Sequence, residues 1–239
     1  MKSTRLNLKN WLWCIAMLVL ALTASHASAQ DVPLPEKSIK ASETAIILVD
    51  FQGNFVNPDG AWYAKFKPDY DKGMLDNTVK MVDEARKKGV WIIHVTEGYT
   101  QNHRELDWTN AGAFHRGQLL RKAWKVGSKE AAYYAPLMPK AEYNDLFLAP
   151  RIQVSAFGGT GLNEILRSKG IRNVAVAGFT TDVCVYATVI AGYDLGYHVF
   201  SLEESMLGFF TGLSKEMLTT VYPMWSTVIG NRPFLDMVQ

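Results

Sequence analysis

The sequence predicts an α/β protein, a doubly wound three-layer sandwich whose mostly parallel sheet of about six strands has helices on both faces. Three observations predict it. Apolar runs of strand length recur along the chain, with stretches of helical apolar spacing between them. The runs are almost continuously apolar instead of alternating, as strands buried on both faces are. Connections long enough to hold a helix join such strands in parallel.

The first strand is Thr44 to Val49, Thr-Ala-Ile-Ile-Leu-Val, and it stops at Asp50. A carboxylate there sits at the carboxyl edge of the sheet, where ligands bind in open α/β folds, although a turn or capping role suits an Asp equally well. From Gly73 to Lys88 the apolar residues Met74, Leu75, Val79, Val82 and Ala85 fall at helical spacing, and Gly89 closes the stretch. Val90 to Val95 follows as a second strand, with His94 expected as a hydrogen-bonded core residue.

Thr96 to Asp145 has no clear period and is too long for an ordinary connection. It holds Trp108, Trp124, His103, His115, Tyr133, Tyr134, Pro136 and Pro139, which could shape a pocket, form a subunit contact or simply pack. Asp145 to Pro150 reads as a third strand ending at Arg151. Ser155 to Thr160 is a turn-rich linker, and Thr160 is placed to cap a helix from Leu162 to Lys169 that Gly170 ends.

Val174 to Phe179 is the fourth strand, and helix-compatible sequence resumes at Asp182. Cys184 therefore falls at a strand-to-helix turn. Free N–H groups and the positive end of a helix dipole lower a thiol pKa there and can hold an oxyanion. Gly196 breaks the chain, Tyr197 to Leu202 gives a fifth strand, a helix lies near Ser214 to Tyr222, and Thr227 to Ile229 is a last short apolar run. Phe157-Gly-Gly-Thr-Gly161 lacks both the dinucleotide pattern and a Walker lysine.

With 239 residues and 48% hydrophobic content the chain is long enough for one sizeable core. Lys2, Arg5 and Lys9, the apolar run Trp11 to Ala24, and Ala27-Ser28-Ala29 have the make-up of a signal peptide cleaved after residue 29. An apolar run of roughly 14 residues is short of the roughly 20 that span a bilayer, so export to the periplasm or medium is expected, with no membrane association afterwards. Residues 30–42 are read as an extended lead-in and 43–239 as one domain. Removing the three basic leader residues leaves 22 Lys and Arg against 23 Asp and Glu, a net charge of about −1 that recommends no nucleic-acid partner. Cys14 leaves with the leader, so no intramolecular disulfide is possible and Cys184 is a lone thiol in an oxidising compartment. A buried structural cysteine is the plain alternative, but the position favours a nucleophile. No Asp-x-His or Cys/His spacing suggests a metal site, and no cofactor is expected.

The phrases Ile47-Leu-Val-Asp-Phe-Gln52, Ser155-Ala-Phe-Gly-Gly-Thr160, Gly178-Phe-Thr-Thr-Asp-Val-Cys-Val185 and Gly192-Tyr-Asp-Leu-Gly-Tyr197 occur in one order. Together the chain resembles the isochorismatase-like cysteine hydrolases over roughly residues 43 to 229. That family includes nicotinamidases, N-carbamoylsarcosine amidases, biuret and ureidoacrylate amidohydrolases, and isochorismatases. The resemblance implies an Asp-Lys-Cys triad on a six-stranded parallel sheet, with Asp50 as the general base that takes the thiol proton and passes it to the leaving amine, and Cys184 as nucleophile. The lysine position is held by Arg151, which keeps a positive charge but is forked and does not lose its proton. The resemblance also implies a cis Phe179–Thr180 peptide, with the N–H groups of Thr180 and Cys184 as an oxyanion hole. Phe51, Gln52, Trp62, Phe157, Phe179 and Tyr186 are the expected substrate-binding residues.

The implied reaction is hydrolysis of a C–N bond in a small amide, carbamoyl or ureido substrate through a Cys184 thioester. A homo-oligomer, dimer or tetramer, is implied as well. Isochorismatase-type vinyl ether hydrolysis, which does not need the thiol, and a catalytically weakened binding or effector protein remain alternatives because of Arg151. The stretch His94-Val-Thr-Glu-Gly98 does not offer the metal pattern typical of nicotinamidases, which lowers that substrate.

Overall fold

Thr44–Val49 (β1) is buried at every position, and that follows from its place in the sheet. It pairs in parallel with Trp91–Val95 (β2) on one side and with Asn173–Phe179 (β4) on the other. A strand with neighbours on both edges and helices on both faces can be apolar throughout. Asp145–Phe147 (β3), His198–Leu207 (β5) and Thr227–Ile229 (β6) complete a six-stranded, all-parallel sheet of order β3-β2-β1-β4-β5-β6. The computed structural model describes residues 37–107 and 111–239. The expected signal peptide, Cys14 and Trp108 lie outside the described residues.

The chain builds outward from β1 through β2 to β3, then returns to β4 and builds outward the other way. The strand order therefore reverses between β1 and β4. Such a switch point opens a crevice at the carboxyl ends of the two strands, the place where α/β folds bind ligands. Asp50 follows β1, and Cys184 opens the helix after β4, so topology alone brings the two together.

Alternate residues of β1 feed the two faces. Ile46 and Leu48 pack with Met81, Val82 and Ala85 of Met74–Lys87 (α3) and with Phe234 and Leu235 of Asn231–Met237 (α8). Ala45, Ile47 and Val49 pack with Leu162 and Leu166 of Leu162–Ser168 (α5) and with Val185 and Val189 of Cys184–Asp194 (α6). Gly178 in β4 has φ +124°, and a Cβ there would lie 1.9 Å from the Val49 carbonyl oxygen, so only glycine lets the two central strands close up.

Several elements depart from the sequence expectation. The third strand stops at Phe147, not Pro150, and Arg151 is reached through an irregular segment that returns to pair with Glu97 in an isolated bridge. The fifth strand runs on to Leu207, beyond Leu202. Thr211–Glu216 (α7) continues as a π turn, Met217–Val221, and a 3₁₀ turn at Tyr222–Met224, where a single helix was expected. Gly53–Val56 (α1), Tyr63–Tyr70 (α2), Ala113–Arg121 (α4) and α8 were not foreseen. Each is shorter than the window in which helical periodicity is readable, and two of them contain a proline, Pro68 and Pro233, that argues against a helix in sequence. In the lead-in, Ile39 bridges Val238 and Ala41–Glu43 forms a 3₁₀ turn, so this part is docked.

His94 meets its expectation: it is buried, with Nδ1 2.8 Å from the Tyr133 hydroxyl and Nε2 3.6 Å from Asp145. Arg86 of α3 has a fully buried side chain and donates to Asp145, to Asp83 and to the carbonyls of Leu137 and Met138. These bonds fix the long excursion after β2 against β3.

Candidate active site

Asp50 is the first residue past β1, in the left-handed region with φ +56°. An aspartate tolerates that conformation better than most residues. Its N–H donates to the Val95 carbonyl at 2.9 Å, which anchors the turn on the neighbouring strand. Across the switch point the Phe179–Thr180 peptide is cis, and after Thr181 and Val183 the chain enters α6 at Cys184. Thr188 ties this helix to the Ser155–Thr160 linker: its hydroxyl donates to the Cys184 carbonyl and accepts from the Ala156 N–H. Thr160 lies ahead of α5 and accepts the Leu162 N–H at 3.2 Å.

Arg151 reaches the same point from the irregular segment after β3. Its N–H donates to the Thr96 carbonyl and its carbonyl accepts from Gly98, so the backbone is pinned to the segment leaving β2. The guanidinium holds both carboxylate oxygens of Asp50, at 3.1 Å from Nη1 and 2.8 Å from Nη2, and Nη2 also donates to the Val154 carbonyl. Nε is buried without a hydrogen-bond partner. Asp50, Arg151 and Cys184 are thus brought together, all buried.

A fourth group stands with them that the sequence reading passed over. Glu97 is buried, and its carboxylate, that of Asp50 and the Cys184 sulfur lie within 4.8 Å of one another. The Tyr99 hydroxyl donates to Glu97 Oε1. The Gln52 amide clamps the Glu97 backbone on both sides, donating to its carbonyl at 2.8 Å and accepting its N–H at 2.9 Å. One signal could have found Glu97: it lies just beyond the second strand, on the edge where Asp50 follows the first.

Two carboxyl groups, one thiol and one guanidinium in a dry site cannot all be charged. Burial pushes the Asp50 carboxyl up, and the paired guanidinium pulls against it. Burial and then the Asp50 charge push Glu97 up to about 8, against Arg151 and Arg121. Burial, then Asp50, push the Cys184 thiol well above its ordinary range, with Arg151 opposing. The expectation of a thiol lowered by its helix terminus is therefore corrected: a full desolvation penalty and nearby carboxyl groups outweigh a terminal dipole. Cys184 rests as a thiol and needs a base to become a nucleophile. Arg151 supplies the positive charge that this acidic cluster demands.

The six expected substrate-binding residues separate. Phe51 and Phe179 are fully buried and meet edge to face at 5.3 Å, while Trp62 packs on Phe209 with the Arg121 guanidinium over its ring. Phe157 stacks on Tyr197 and Tyr186 lies beside Tyr222, both on the opposite face of the sheet. Gln52 borders a cavity of about 120 Å³ whose wall also includes Thr96, Glu97, Ala131, Tyr133 and Pro150. Its amide is engaged with the backbone of Glu97 and Ala131.

A carboxyl pair, a guanidinium and a thiol thus gather at the switch point of a doubly wound parallel sheet, the position where such α/β proteins bind ligands. The Isochorismatase domain model matches residues 44–232. The ureidoacrylate amidohydrolase RutB of Rhizobium rhizogenes is 29% identical over 210 residues, covering 80% of this chain and 82% of the relative. RutB of Agrobacterium fabrum is 30% identical over 184 residues, covering 70% of this chain and 77% of that protein. A cysteine hydrolase of Pseudomonas syringae pv. phaseolicola shares the fold with a TM-score of 0.70 at 22% identity, over 87% of this chain and 97% of its own. The chain belongs to the isochorismatase family, within the isochorismatase-like cysteine hydrolase superfamily.

Proposed function

We propose that the protein is an exported cysteine amidohydrolase that cleaves a C–N bond of a small amide, carbamoyl or ureido substrate. The observation that carries this reading is the buried set at the switch point: Asp50, held in a fixed plane by Arg151, lies within 4.8 Å of the Cys184 sulfur. The amidohydrolase relatives support the reaction class.

Asp50 takes the thiol proton as the sulfur attacks the substrate carbonyl, so the thiolate exists only in the course of attack. The oxyanion rests on the N–H groups of Thr180 and Cys184. The amine or ammonia leaves, and water hydrolyses the Cys184 thioester. Arg151 orients Asp50 and balances the charge that moves through the cluster.

Ammonia release from a panel of small amides and ureido compounds tests the reading, using residues 30–239 beside Cys184→Ala. Turnover lost in the variant supports it; turnover retained there overturns it. Export after residue 29 predicts a secreted form whose amino-terminal residue is Gln30, which terminal sequencing reads. Assembly as a dimer or tetramer suits the exposed Phe210 and Leu213, and light scattering measures it.

One observation favours a second reading. Both Asp50 oxygens are engaged by the fork of Arg151, so a catalytically weakened binding protein is the alternative. Arg151→Lys distinguishes the two: turnover appearing only in the lysine variant belongs to the weakened protein.

A further inference from the structure

Resting on the amidohydrolase reading, we propose that Glu97 is the general acid of the reaction, protonating the leaving nitrogen while Asp50 acts as the base toward the Cys184 thiol. Three features of the geometry lead there. The carboxyl groups of Glu97 and Asp50 and the Cys184 sulfur share one buried cluster within 4.8 Å. Glu97 is also the one member of that cluster that borders the cavity walled by Gln52, Thr96 and Tyr133. Asp50, by contrast, has both oxygens bonded to Arg151. A lysine would contact a carboxylate as a point charge, whereas a bidentate guanidinium fixes the carboxylate plane. A carboxylate so held is well placed to receive one proton from the sulfur beside it and poorly placed to swing toward a departing nitrogen.

Glu97 has a proton to give. The groups facing it are Asp50, Cys184 and Tyr99, with Arg151 and Arg121 as the cations. Burial and the Asp50 charge keep its carboxyl neutral at neutral pH, with a pKa of about 8. The Tyr99 hydroxyl donates to Oε1, which leaves Oε2 to hold the proton. Asp50 is paired at both oxygens with a guanidinium and Glu97 is not, and two carboxyl groups in such different environments divide acid and base work between them.

The proton count closes. In acylation the sulfur–carbon bond forms as the thiol proton passes to Asp50, and the carbon–nitrogen bond breaks as the Glu97 proton passes to the nitrogen. Glu97 is then a carboxylate and Asp50 a carboxylic acid. In deacylation water attacks the thioester and gives its proton to Glu97, while the Asp50 proton returns to the departing sulfur. Both groups end as they began, and one water has been consumed.

Leaving-group dependence tests the assignment. Glu97→Gln keeps the side chain neutral and close in shape, and its unfolding midpoint is measured beside the wild type to establish that the fold is retained. Two substrate types are used: the best-turned-over amide of the panel, and 4-nitrophenyl acetate, whose nitrophenolate departs without needing a proton. The variant is expected to lose about 100-fold or more in amide turnover, the scale of a lost general acid, and less than about fivefold in the first-turnover burst of nitrophenolate, which precedes the deacylation that Glu97 also serves. The alkaline fall in amide turnover near pH 8 is expected to be absent from the nitrophenolate burst. Equal slowing of amide turnover and of the nitrophenolate burst, or of neither, overturns the role of Glu97 while leaving the cysteine reading intact. Amide turnover that persists in Cys184→Ala overturns that underlying reading, and the proposal with it.

Discussion

Arg151 and Asp50 form a two-point pair in the dry interior, Nη1 to Oδ1 at 3.1 Å and Nη2 to Oδ2 at 2.8 Å. A residue beyond the third strand is thereby joined to the residue beyond the first, and the pair holds the base of the site in one orientation. The consequences are testable.

Removing one partner of such a pair leaves a buried charge alone. Arg151→Ala is expected to destabilise the fold by about 3–5 kcal/mol, read as a fall in the urea midpoint. Arg151→Lys keeps the charge, so its loss should be smaller, and its turnover should stay within about tenfold of the wild type.

The raised thiol has its own signature. Burial and Asp50 place Cys184 well above the usual thiol range, so alkylation by iodoacetamide should be slow at neutral pH and still rising above pH 9. A plateau reached by pH 7 would mean a stored thiolate instead.

Glu97 links the site to stability. Its folded pKa of about 8 lies above the unfolded value, so between about 4.3 and 8 the native state holds the extra proton. That contribution is fully present below the unfolded pKa and is lost as pH rises through the folded one. The wild type should therefore lose about 1–4 kcal/mol relative to Glu97→Gln between pH 5 and pH 8, measured by denaturant titration at both.

Gly178→Ala should be among the most damaging single changes in the sheet. Its φ of +124° disfavours any side chain, and the new Cβ would stand 1.9 Å from the Val49 oxygen. A loss of about 3 kcal/mol or more is expected, read as a fall in Tm.

Much of this architecture is legible in the chain because buried parallel strands announce themselves. Thr44–Val49 and Thr227–Ile229 fall where their apolar runs place them, and Gly170 and Gly196, both at positive φ, end helices where expected. The gathering of Asp50 and Cys184 is legible too, since both follow strands that become neighbours at the switch point. Arg151 is legible as the residue after the third apolar run, and the resemblance puts it at the lysine position, but the strand itself stops at Phe147 and an irregular segment carries the chain on to it. Glu97 escaped notice because an acidic residue after a strand looks like any solvated turn. Only the fold reveals that the excursion beyond it, with Tyr99 and the Gln52 clamp, seals that position from water. The direction of the thiol shift was also beyond sequence, because it depends on how completely the site is closed.

The most direct test of the account is to trap the intermediate. The protein comprising residues 30–239 is mixed with the best-turned-over substrate, quenched in acid within the steady state, and weighed intact and as peptides. The account predicts an acyl adduct on the peptide containing Cys184, absent after treatment with hydroxylamine and never formed in Cys184→Ala. Steady turnover with no adduct on that cysteine, retained in the alanine variant, would contradict it.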